Sequence, residues 1–80
     1  MSGIETRAIV DINKTANQFQ SSIVLKWGGK VVDAKSILGL SLTLLGSQHY
    51  NLEIHGPDEA EAKAAMLAAF RRHHLSVDSE

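Results

Sequence analysis

Residues 21–34, Ser-Ser-Ile-Val-Leu-Lys-Trp-Gly-Gly-Lys-Val-Val-Asp-Ala, decide the fold. From Ser21 to Trp27, Ile23, Leu25 and Trp27 alternate onto one side of a strand, and Gly28-Gly29 supplies the positive backbone angles that a two-residue hairpin turn needs. Lys30 to Ala34 is the return strand. Side chains in a strand alternate with period two, so Val32 and Ala34 face the same core as Ile23 and Leu25. The glycine pair is a turn and not a phosphate loop, because no Lys-Ser/Thr pair opens a helix after it.

Upstream of the hairpin, Ile9, Ile12, Ala16 and Phe19 recur every three or four residues, which predicts a helix over Arg7 to Phe19. Downstream, Ser36 can accept a backbone N–H of the turn it opens, and a short helix runs through Leu40. Gly46-Ser47-Gln48 is a break. Tyr50 to His55 reads as a third strand, with Leu52 and Ile54 inward and Asn51 and Glu53 outward. Gly56-Pro57-Asp58-Glu59 starts the last helix, since proline fits a first turn and carboxylates favour the positive end of the helix dipole. That helix runs to about His74, burying Ala62, Ala65, Met66, Ala69 and Phe70, with Arg71, Arg72, His73 and His74 at the dipole's negative end. Residues 1–75 form one domain, and 76–80 are a disordered tail.

Eighty residues with 44% apolar content suffice for one small domain and not for two. The formal charge of −1 offers no basic field for nucleic acid and no polybasic anchor for a lipid surface. No stretch approaches the roughly 20 apolar residues of a membrane span. The chain has no cysteine, which excludes disulfides and thiolate metal sites and suits the cytoplasm. The four histidines, at positions 49, 55, 73 and 74, show no metal-ligand spacing with a third donor, so neither metal nor cofactor is expected.

Two segments, Gly3-Ile4-Glu5-Thr6-Arg7 and Lys35-Ser36-Ile37-Leu38-Gly39-Leu40, carry a resemblance to a known family. With the helix and hairpin between them, they resemble the active-site and regulatory-serine segments of HPr, the histidine phosphocarrier of the bacterial sugar phosphotransferase system. Phe19 to Ile23, Gly29-Lys30 and Gly56 to Ala62 extend the likeness. The resemblance implies an α+β, two-layer fold, an antiparallel sheet with three helices on one face. Three strands are recognisable. The family's first strand, which precedes the Gly-x-His segment, is not found: either it is missing or the start of the sequence is trimmed, and its loss would leave the Tyr50 to His55 strand with an unpaired edge. Such an edge recruits another strand, so a homodimer is expected.

The resemblance also implies what the chemistry is. The family's phosphoryl-accepting histidine falls at Glu5, in a Gly-(Leu/Ile)-His-x-Arg-Pro pattern whose arginine is Arg7 and whose proline is replaced by Ala8. A carboxylate lacks the imidazole's nucleophilic lone pair and its high-energy N–P bond. The expectation is a non-enzymatic regulatory or binding module, in which Glu5 and Arg7 form a surface ion pair or Glu5 imitates a phosphorylated side chain. Ser36 matches the family serine that a dedicated HPr kinase phosphorylates, although helix capping alone would also explain a serine there. Ile37, Leu38 and Leu40 are the partner-docking residues. The partners implied are proteins of the phosphotransferase or HPr kinase type. The rival readings are a working phosphocarrier with a non-standard acceptor, and an orphan interaction domain.

Overall fold

A computed structural model describes residues 6–43 and 49–79. Gly3 to Glu5, Leu44 and Leu45, and the break at Gly46-Ser47-Gln48 lie outside the described residues. The elements in order are α1 (Thr6–Ala16), β1 (Ser22–Trp27), β2 (Lys30–Asp33), α2 (Ile37–Thr43), β3 (Tyr50–His55), α3 (Glu59–Arg72) and β4 (Val77–Ser79). This is an α+β fold of three helices and one four-stranded mixed sheet, with strand order β2-β1-β3-β4.

The hairpin forms as its residues dictate. Gly28 and Gly29 both take positive φ, +51° and +81°, the requirement of a tight turn whose twist matches the flanking strands. Leu25 then pairs with Val32 and Trp27 with Lys30, while β3 pairs antiparallel on the other side, with Ile23 opposite Ile54 and Leu25 opposite Leu52. This register aligns the inward side chains across β1 and β3. Ile23, Leu25, Tyr50, Leu52 and Ile54 are buried against Ile9, Ile12 and Ala16 of α1, Leu40 of α2, and Ala62, Met66, Ala69 and Phe70 of α3. Tyr50 anchors one end of this core, its ring meeting Trp27 edge-on at 5.9 Å and Phe70 at a tilt at 6.2 Å. Burial raises the pKa of its phenol.

Helix α1 ends at Ala16 and not at Phe19. The Gln18 and Phe19 N–H groups donate three residues back, to Thr15 and Ala16, which tightens the last turn and directs the chain into β1. Phe19 still packs on the core from outside the helix. The junction between β1 and α3 is held by Asp58, whose carboxylate accepts the N–H groups of Gln20 and Ser21, each at 2.9 Å, and the Ser21 hydroxyl. Gly56 lies against the same serine. A Cβ there would sit 2.6 Å from the Ser21 Cα, so only glycine fits.

The largest departure from the sequence reading is at the C-terminus. Residues 77–79 are not a disordered tail: they form β4, parallel to β3, with Tyr50, Asn51 and Leu52 opposite Val77, Asp78 and Ser79. The three-stranded antiparallel sheet expected from the sequence is therefore a four-stranded mixed one, and half of the edge expected to be open is covered from within the chain. The cause is the end of α3, which stops at Arg72 and not at His74. The Leu75 N–H bonds the Phe70 carbonyl and the His74 N–H bonds that of Arg71, with His74 itself left-handed at φ +58°. This is a Schellman turn, and it reverses the chain. A helix has carried the chain back across the sheet, so the following strand runs parallel to the one before it.

Candidate functional site

Ser36 stands exposed immediately before α2. Its hydroxyl accepts the Gly39 N–H at 3.1 Å, and its carbonyl accepts the Leu40 N–H, so it caps the helix as its residue type predicts. The loop that presents it is fastened at several points. Asp33 accepts the N–H of Lys35 on its side chain and that of Ser36 on its carbonyl. The Lys35 ammonium donates to the Phe19 carbonyl at 2.8 Å, while the amides of Asn13 and Asn17 donate to the Ala34 and Lys35 carbonyls. These contacts tie the loop to the C-terminal turns of α1. Ser36 therefore sits on a braced corner and not on a free loop.

Helix α2 turns an apolar face to solvent beside this serine. Ile37 and Leu38 are 46% and 68% exposed, as the sequence reading requires of docking residues. Leu40 is not: it is fully buried in the core, because two residues' advance along a helix turns a side chain to the opposite face. Leu42, 68% exposed, lies on the solvent side of the helix instead. The sequence carried that signal, since Leu42 is four residues beyond Leu38 and shares its stripe. Val10 on α1 adds a further exposed apolar side chain, 37% exposed.

Glu5 lies outside the described residues, and Arg7 is exposed in the first turn of α1. The histidines are placed apart from one another. His55 is exposed beyond Glu53, whose carboxylate the Lys26 ammonium holds below its usual pKa through a 2.7 Å hydrogen bond. The His73 Nε2 meets Asp11 at 2.8 Å, and Arg72 joins the same carboxylate at 3.0 Å. Burial works to raise the Asp11 pKa, but the bonds from His73 and Arg72 prevail and lower it. His49 is bonded through both ring nitrogens, to Ser76 and to Asp78. Among the described residues no three histidine, cysteine or carboxylate side chains converge as a metal site. No described helix is long and apolar enough to cross a membrane.

Comparison with known proteins places these features in a family. Residues 1–72 match the family model described as PTS HPr component phosphorylation site. The phosphocarrier protein HPr of Cupriavidus necator is 39% identical over 67 residues, covering 82% of this chain and 75% of that protein. The HPr-like protein Crh of Halalkalibacterium halodurans is also 39% identical over 67 residues, covering 82% and 80%. In three dimensions the chain is similar to a crystal structure of Crh from Bacillus subtilis, described as a dimer with a swapped domain. The TM-score is 0.79 at 32% identity, covering 94% of this chain and 87% of that one. An HPr dimer from Thermoanaerobacter tengcongensis gives a TM-score of 0.75 at 34% identity, covering 82% and 77%.

Proposed function

The chain belongs to the HPr family of the phosphotransferase system, and from that premise we propose that it acts by binding, as a regulatory module that has given up phosphoryl transfer. The observation that carries this reading is the pairing of losses and retentions along the chain. Glu5 stands where the family pattern has its nucleophilic histidine, while the Ser36 corner is kept and braced, with Ile37, Leu38 and Leu42 exposed beside it. A carboxylate at position 5 offers no imidazole nitrogen to accept a phosphoryl group. An exposed serine with an apolar strip next to it offers a kinase a hydroxyl and a docking surface together. A phosphate on Ser36 would place about two negative charges against that strip and change which partner docks there.

The proposed partners are an HPr kinase-type enzyme acting on Ser36 and proteins that read the apolar strip. Self-association is a further part of the proposal, supported by the dimers among the relatives. The absence of cysteine suits a reducing cytoplasm as the site of action.

Two incubations followed by intact-mass measurement test the reading. With enzyme I and phosphoenolpyruvate no phosphoryl group should be gained; an acid-labile phosphate on any residue would overturn the loss of transfer. With HPr kinase and ATP one phosphate should appear, on Ser36, and be absent from both Ser36→Ala and Ser36→Asp. Asp keeps the helix cap while Ala removes it at a cost of about 1 kcal/mol, so loss of label in both separates the missing hydroxyl from a loosened helix. Phosphate on Ser41 in place of Ser36 would refute the assignment.

A further inference from the structure

Strand β4 holds β3 by very little. It is three residues long and parallel, and Val77 is its sole apolar residue. Val77 packs against the core, and the polar side-chain fastening of this segment converges on His49. The His49 Nε2 lies 2.7 Å from the Asp78 carboxylate, and Nδ1 meets the Ser76 hydroxyl, so one imidazole grips alternate residues of the returning chain. The Tyr50 N–H donates to the Ser76 carbonyl at 3.1 Å, which shows that Tyr50, and by alternation Leu52 and Ile54, turn their backbone groups toward β4.

Among the described residues the clip pairs with Tyr50, Asn51 and Leu52. Beside it opens a cleft of about 200 Å³ lined by Ile54, Glu59, Ala60, Lys63 and Ser79. Glu53 and Asn51 do not block this edge, because their backbone groups turn toward β1.

We propose that β4 is a displaceable clip, fastened by His49, and that its release presents the β3 edge to the β3 edge of a second copy of this chain. The inference deepens the self-association proposed above and rests on it. Its geometry is restricted by symmetry. A twofold axis normal to the sheet keeps each side chain on its own face, so directly opposed residues must share parity. Centring the axis on Glu53 would oppose two carboxylates. Centring it on Leu52 opposes Leu52 with its copy, Tyr50 with Ile54, and Asn51 with Glu53, joining the two buried faces and leaving polar pairs outside. The backbone groups of Tyr50, Leu52 and Ile54, which turn to this edge, pair with those of the second copy in this arrangement. Both copies must open before they can pair. A clip closed roughly nine-tenths of the time therefore weakens dimerisation about a hundredfold.

Full-length variants test the proposal by sedimentation across a concentration series. Asp78→Pro removes the carboxylate that His49 grips and an N–H of the strand, and His49→Ala removes the grip from the other side. Each should lower the dimer dissociation constant at least about tenfold relative to the parent chain. The double variant N51C/D78C places two thiols in register across β3 and β4 in a chain with no other cysteine. Oxidised, it should remain a monomer at every concentration, and reduction should restore pairing. Amide exchange at Tyr50, Leu52 and Ile54 should be slow in the dimer. A dimer that forms equally well in the oxidised variant would place self-association on another surface and overturn the clip. Monomers in every variant at high micromolar concentration, with those three amides exchanging fast, would overturn the self-association reading itself.

Discussion

His74 is the residue most at odds with its backbone. It occupies the left-handed position of the Schellman turn, φ +58°, where a β-carbon costs about 1–2 kcal/mol and glycine is the usual occupant. Its imidazole is exposed, so nothing packed is lost by removing it. We expect His74→Gly to stabilise the chain by about 0.5–1 kcal/mol, the relief being partly offset by glycine's freedom when unfolded. Chemical denaturation at neutral pH measures this directly, and a midpoint below that of the parent would show that the imidazole makes a contact the structure does not record. At Ser36 the residue-scale reading from sequence is sound because a cap is a local bond, spanning the three residues to Gly39. Glu5 and Ala8 were legible as departures from the family pattern, and Arg7 as its retained arginine.

Helix α2 shows how much one element can divide its residues between two tasks. Seven residues long, it buries Leu40 completely and exposes Ile37, Leu38 and Leu42. Leu40→Ala should cost about 2–5 kcal/mol through the cavity it leaves, whereas Leu38→Glu should change stability by no more than about 0.5 kcal/mol. If the exposed strip docks partners, the second substitution should instead abolish their binding with the denaturation midpoint unmoved. A large destabilisation by Leu38→Glu would show that the strip is covered in the free protein. The division was only half legible in the sequence. A run of apolar residues over fewer than three turns has too short a period to say which side faces in, and only the neighbouring Val32 and α1 settle it. The hairpin is the contrasting case. Its turn residues, alternation and register are local or nearly so, and the structure reproduces them from Ser22 to Asp33.

The whole molecule is stitched by carboxylates at its junctions. Asp58 joins the start of β1 to the start of α3, Glu53 joins β3 to β1 through Lys26, and Asp11 joins α1 to the end of α3. The Ser21 hydroxyl and then the Gln20 backbone hold the Asp58 pKa down, as Lys26 does for Glu53. A carboxyl group whose folded pKa lies below its unfolded value, about 4, contributes stability that is present above that value and is lost as pH falls through the folded pKa. We expect stability to be level above pH ~5 and to decline below pH ~4, with Asp58→Asn and Asp11→Asn each flattening part of the decline. A titration of unfolding midpoints from pH 7 to pH 2.5 reads this out, and an acid limb unchanged in both variants would refute it. An 80-residue domain has only a modest margin, which makes such losses visible.

The sequence by itself determined the family, the two-layer α+β plan, the hairpin and its register, the inward faces of Tyr50–His55 and of α3 except at Ala65, which is only half-buried, and the cap at Ser36. Each depends on periodicity, turn chemistry or bonds between near neighbours, which any chain with these residues must satisfy locally. Only the tertiary structure decided where the helices stop, that Leu40 is core while Leu42 is surface, that His73 closes on Asp11, and that residues 77–79 form a strand. Val-Asp-Ser is too short and too polar to declare a strand on its own. It becomes one because the left-handed turn at His74 delivers it to an edge with unsatisfied backbone groups and to a histidine already waiting there, partners 27 and 29 residues away along the chain.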